Sequence, residues 1–129
     1  ARIERHQERR TGRWQTVEAP LELTDALNRA TAGGVPVLVD CLTLWLSNLM
    51  ASGRDPKAEA DRLIDRLGSV TAPVVLVSNE VGQGVVPDNP LARAFVDAAG
   101  ILNQAVASVA DTVVLVTAAL PLALKGKLV

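Results

Sequence analysis

His6 is the single histidine of the chain, and Arg2, Arg5, Arg9 and Arg10 surround it. An imidazole can act as a nucleophile at neutral pH and carry a transferred group covalently. Clustered guanidiniums suit a polyphosphate, because each presents a planar fork of donors to phosphate oxygens. Together these residues describe a covalent carrier beside a phosphate-binding cluster. They also describe a surface histidine on a charged helix face, and the local sequence by itself favours that second reading.

Asp40 closes the apolar run Val37-Leu38-Val39. A carboxylate at the end of a buried strand can hold Mg2+, directly or through water, as in P-loop nucleotidases. The competing reading is a helix N-cap, since a helical segment begins at Leu42 and Asp is a preferred cap. Ser78-Asn79-Glu80-Val81-Gly82-Gln83-Gly84 follows another apolar run. It is polar and glycine-bearing, yet it lacks the Lys and the spacing of a phosphate-cradling loop. Asn79 and Glu80 are candidates to contact a ligand or to brace the loop, and a tight turn accounts for the glycines. Trp14 and Glu18 stand four residues apart. Trp14 suits a core anchor with an indole N–H to satisfy. Glu18 fits a ribose ligand, a metal ligand or a surface acid.

These residues need elements to hold them. Residues 1–13 read as a solvated helix that turns at Thr11-Gly12, followed by an extended piece from Trp14 to Glu18. Leu21 to Ala30 has helical spacing and stops at Gly33-Gly34. Three short runs are rich in β-branched residues without polar alternation: Val35 to Val39, Val74 to Val77, and Val113 to Val116. Such runs predict strands buried on both faces of a parallel sheet. The segments Leu42 to Met50, Pro56 to Leu67 and Pro90 to Ala110 are helical in character. Alternating strands and helices predict one βαβ-type α/β domain over residues 1–129. Ligands of such sheets bind beyond the carboxyl ends of the strands. Asp40-Cys41-Leu42-Thr43, Ser78 to Gly82 and Thr117-Ala118-Ala119 therefore mark the expected site face.

Bulk properties exclude several classes. A length of 129 residues supports one domain, and 49% apolar with 21% charged residues fits a globular protein. One Phe, two Trp and no Tyr require an aliphatic core. A net charge of -1 gives no basic field for nucleic acid. The single Cys41 excludes an internal disulfide framework and a multi-cysteine zinc site, and fits a reducing cytoplasm. No apolar run reaches the roughly 20 residues that span a bilayer.

Taken in order, the pieces resemble one family, the bifunctional adenosylcobinamide kinase/adenosylcobinamide-phosphate guanylyltransferases of cobalamin biosynthesis. The resemblance runs through Arg2-Ile3 to His6, Trp14 to Glu18, Asp40 to Leu49 and Val75 to Gly82. It continues through Gly84 to Asn89, Leu91-Ala92-Arg93, Ala99-Gly100 to Gln104, and Leu120 to Lys125. It implies a P-loop NTPase-like, RecA-type fold with a mostly parallel sheet flanked by helices. It also implies two reactions: phosphorylation of adenosylcobinamide with ATP or GTP, and transfer of GMP from GTP to adenosylcobinamide phosphate. The second passes through a histidine-GMP intermediate, which motif matching assigns to His6. Nucleotide contacts fall on Gln7, Glu8, Arg9, Arg10, Glu18 and Asp40, with Mg2+ at Asp40. The resemblance further implies a cytoplasmic homo-oligomer.

Members of that family open with a strand, a glycine-rich P-loop carrying Lys and Ser, and a helix, none of which lies within these 129 residues. The expectation is that this segment lies upstream of Ala1, and that the 129 residues alone lack kinase activity. The competing expectation is a P-loop-less nucleotide-binding or assembly module without catalysis.

Overall fold

The computed structural model describes residues 2–10 and 12–128, apart from the side chains of His6, Gln7 and Arg10. In chain order the elements are α1 (Arg2–Arg10), α2 (Leu23–Thr31), β1 (Val37–Asp40), α3 (Leu42–Ser52) and α4 (Pro56–Leu67). They continue with β2 (Val74–Val77), α5 (Pro90–Val109), β3 (Val113–Thr117) and β4 (Leu120–Lys125).

Local chemistry marks the helix ends. Asp55 Oδ1 accepts the Lys57 amide at 3.0 Å and Pro56 opens α4. Asn89 Oδ1 accepts the Leu91 amide at 2.8 Å, again with a proline at the first turn. Both arrangements satisfy amide donors that a helix start leaves without partners. α3 stops at Gly53, whose φ of 78° suits a residue without a Cβ.

β1 and β2 pair in parallel, Val37 opposite Val74 and Asp40 opposite Val77. The third apolar run departs from the parallel expectation. β3 pairs antiparallel with β4, in a second two-stranded sheet. β4 was not expected from the sequence, because Leu120 to Lys125 contains a proline and little alternation. Only Ala118 and Ala119 separate Thr117 from its partner Leu120, and so short a link forces an antiparallel hairpin. Both alanines have positive φ, 52° and 62°, the mirror-image turn whose twist matches that of the strands. The far end of the hairpin closes at Gly126. A Cβ there would stand 2.6 Å from the Asp111 carbonyl oxygen, so only glycine fits.

Burial on both faces is also corrected. Exposure alternates along the strands: Val39 is buried, whereas Val75 is 60% and Val116 65% exposed. The unbroken apolar runs reflect a second apolar face that the described residues leave uncovered.

The core joins Leu23 and Leu27 of α2, Val39 of β1, and Leu42, Trp45, Leu46 and Leu49 of α3. Leu63 of α4 and Ala99 and Leu102 of α5 complete it. It is aliphatic except for Trp45, whose indole N–H donates to the Leu21 carbonyl at 2.9 Å. Trp14, the other anchor candidate, is 52% exposed and belongs to no core cluster. Outside the core, α2 and its neighbours are laced by Arg62–Asp25 at 3.2 Å and by Arg54–Glu22. Among the described residues, no helix is long and apolar enough to cross a membrane.

Candidate functional site

β1 and β2 end together, so the residues that follow them share one end of the sheet. Asp40 is the last residue of β1 and is exposed. The N-cap of α3 is Cys41, whose Sγ accepts the Leu44 amide at 3.4 Å. Asp40 therefore does not hold the cap position that competed with its ligand role.

The segment after β2 is bound to its surroundings by side chains. Thr43 Oγ1, in the first turn of α3, accepts the Asn79 amide at 2.8 Å. It stands 3.4 Å from Ser78 Oγ. Ser78 Oγ donates to Asn103 Oδ1 at 2.6 Å, and Asn103 Nδ2 donates to the Asn79 carbonyl at 3.3 Å. Glu80 Oε1 accepts the Gly82 amide at 2.9 Å, so its carboxylate braces the turn. Farther on, Arg93 donates to the carbonyls of Pro87 and Asp88 at 2.8 and 2.7 Å. The loop thus leans on α3 at its start and on α5 at both ends.

A shallow cavity of about 140 Å³ lies inside this loop, lined by Val81, Gly82, Val85, Pro87, Arg93 and Asp97. A larger one of about 540 Å³ separates α3 from α5, between Ser47, Met50, Leu91, Ala92 and Phe95. Neither is lined by Asp40 or Asn79. The larger is chiefly apolar, while the hydrogen-bonding groups gather at the strand ends.

Of the residues singled out in the sequence, Asp40, Asn79 and Glu80 come to one sheet end. Glu8 and Arg9 are exposed on α1, and Glu18 is exposed in the following non-helical segment. The side chains of His6, Gln7 and Arg10 lie outside the described residues. Among the described residues, α1 does not pack extensively on another element.

The sequence places Thr43 and Ser78 on the expected site face without giving either a role, and it gives Asn103 no place in the site. A signal existed for Asn103. An asparagine is unfavourable inside a helix, and this one follows the buried Leu102 in the middle of α5.

No group of three or more His, Cys, Asp or Glu gathers among the described residues, so a wholly protein-built metal cage is absent there. A single carboxylate such as Asp40 still suits Mg2+. That ion is commonly held by one or two carboxylates, with water and substrate phosphates filling the rest.

The shifted titrations belong to ion pairs of the helical layer. The Arg54 guanidinium, chiefly through its hydrogen bond, holds the Glu22 carboxyl below the usual carboxylate value. The hydrogen bond that the Lys57 ammonium donates to the Asp61 carboxylate likewise raises the Lys57 pKa above its ordinary value.

Comparison with known proteins places this geometry in context. The family model described as cobinamide kinase / cobinamide phosphate guanyltransferase matches residues 1–124. The bifunctional adenosylcobalamin biosynthesis protein CobP of Pseudomonas aeruginosa is 43% identical over 128 residues, covering 98% of this chain and 74% of the relative. The bifunctional adenosylcobalamin biosynthesis proteins CobU of Escherichia coli and Salmonella typhimurium are each 36% identical over 140 residues, covering 97% of this chain and 77% of the relative.

Proposed function

The chain belongs to the cobinamide kinase / cobinamide phosphate guanyltransferase family, and from that premise we propose a bifunctional transferase of cobalamin biosynthesis. It phosphorylates adenosylcobinamide with ATP or GTP, and it transfers GMP from GTP to adenosylcobinamide phosphate, giving adenosylcobinamide-GDP. The observation that carries this reading is the polar end of the parallel sheet. There Asp40 and the braced Ser78–Gly82 segment stand together, within a chain that matches the family over residues 1–124.

In the guanylyl step the His6 imidazole attacks the α-phosphorus of GTP and pyrophosphate leaves. The phosphate of the corrinoid substrate then displaces the histidine and takes GMP. Two displacements replace one difficult transfer, which is the use of a covalent intermediate. Gln7, Glu8, Arg9, Arg10 and Glu18 contact the nucleotide, and the arginines offset charge on the leaving pyrophosphate. Asp40 would hold Mg2+, which supplies charge neutralisation at the phosphates when bound.

The same reading takes the domain as a P-loop NTPase-like fold of the RecA type, spanning residues 1–129 as its carboxyl-terminal portion. A P-loop segment supplied from outside these residues would cradle the triphosphate. A cytoplasmic homo-oligomer completes the reading.

The test is a labelling experiment on the full-length gene product. Incubation with GTP labelled in its α-phosphate should give a single protein-bound label that is acid-labile and base-stable. The label should add the mass of one GMP to the peptide containing His6 and vanish in His6→Ala. Label retained in His6→Ala sinks the carrier role. Binding of GTP with neither label nor turnover favours a binding module instead.

A further inference from the structure

The contacts of Thr43, Ser78 and Asn103 close a ring on a single residue, Asn79. Ser78 Oγ donates to Asn103 Oδ1 at 2.6 Å, which uses its one hydroxyl hydrogen. Thr43 Oγ1 accepts the Asn79 amide at 2.8 Å and stands 3.4 Å from Ser78 Oγ; with the Ser78 hydrogen already given to Asn103, Thr43 is the donor left for that contact. Asn103 Nδ2 returns to the Asn79 carbonyl at 3.3 Å. Every donor points the same way round, from the Asn79 N–H to the Asn79 C=O. Such chains polarise one another and strengthen each link. The ring also fixes the Asn103 amide, since a flip would set its oxygen against the Asn79 carbonyl oxygen.

Asn79 is therefore held at both of its backbone polar groups by α3 and α5. Its own side-chain amide is exposed and makes no hydrogen bond among the described residues. A pinned backbone with an unengaged amide, two residues beyond the end of the strand paired with β1, is the geometry of a pre-organised ligand contact.

We infer that Asn103 is a positioning residue, which acts through this ring to aim the Asn79 amide at a phosphate oxygen of the bound nucleotide. The inference rests on the nucleotide-transfer reading above and deepens it. The Asn79 Nδ2 donates to the phosphate, while Asn103 never touches the ligand.

A double-mutant cycle on the full-length gene product tests it, with Mg·GTP as the substrate and melting temperature recorded for every variant. Removing one hydrogen bond to a charged ligand group costs on the order of tenfold. Asn79→Ala and Asn103→Ala should each lower kcat/KM for GTP about tenfold. In the Asn79→Ala background, Asn103→Ala should cost less than about twofold more, because its route of action is gone. Ser78→Ala breaks the ring at an exposed position and should repeat this pattern, which covers the event that Asn103→Ala fails to fold.

Losses that multiply to about a hundredfold would overturn the positioning role, since they report independent damage. An Asn79→Ala enzyme with unaltered kinetics would overturn the ligand contact. Wild-type protein that neither binds GTP in a calorimeter nor turns it over would instead bring down the functional reading, and this inference with it.

Discussion

The indole of Trp45 is 4% exposed, yet its N–H is not wasted, because the Leu21 carbonyl accepts it at 2.9 Å. The bond ties α3 to the chain entering α2. Trp45→Phe keeps most of the apolar volume and leaves that carbonyl without its donor, a loss worth about 1–3 kcal/mol. Urea titration should show that decrease with the slope of the transition unchanged. The sequence offered Trp14 as a candidate core anchor, and Trp45 takes that place. Trp45 sits in an apolar helix and Trp14 in a polar stretch, and burial followed the neighbours. Asp40 and Glu80 were legible as polar strand ends. Thr43 and Ser78 stood in those ends too, but the roles of both, and of Asn103, were not legible, because these lie in contacts across 24 to 36 residues of chain.

At the scale of elements, the hairpin turn carries a local cost. Ala118 and Ala119 both adopt the left-handed region, which an L-residue with a Cβ enters at roughly 1–2 kcal/mol each. Ala119→Gly should relieve part of this and slow hydrogen exchange at the β3–β4 amides, for a gain of about 1 kcal/mol. The turn was hard to read because Ala-Ala carries none of the Asn-Gly or Asp-Gly signature of such links. The five helices were legible within a few residues, since proline starts, side-chain caps and apolar spacing agree there.

Between α2 and the start of α4, Glu22 and Arg54 form an exposed pair. The Glu22 carboxyl is held below its ordinary value of 4.5, chiefly by the Arg54 hydrogen bond. The pair therefore stabilises the fold above the unfolded carboxyl's pKa, and the contribution disappears as pH falls through the lowered folded value. Arg54→Met should lower the neutral plateau slightly and leave the acid end, where the carboxyl is protonated, unchanged, so that this part of the curve flattens by the small amount expected of a solvent-screened pair.

At the scale of the molecule, stability is unevenly distributed. The core cluster unites α2, β1, α3, α4 and α5 and includes no residue of the β3–β4 hairpin. Lys125 links the hairpin to the body, donating to the Ala107 and Ser108 carbonyls at 2.9 and 3.2 Å near the end of α5. Leu63 is fully buried, so Leu63→Ala should lower global stability by about 2–5 kcal/mol. Exchange of the hairpin amides should respond far less, because they open by local unfolding. The α/β class was legible from the alternation of runs. The division into two small sheets was not, because strand pairing is set by connection length and not by composition.

The contrast between Trp14 and Trp45 also gives the protein a pair of optical reporters. Within these 129 residues tyrosine is absent, so their indole emission comes from Trp14 and Trp45. The exposed Trp14 emits toward the red and is open to iodide quenching, while the enclosed Trp45 emits toward the blue and is shielded. Selective quenching thus separates the amino-terminal arm from the core in one spectrum, and a titration with nucleotide would reveal which of them moves without any dye attached.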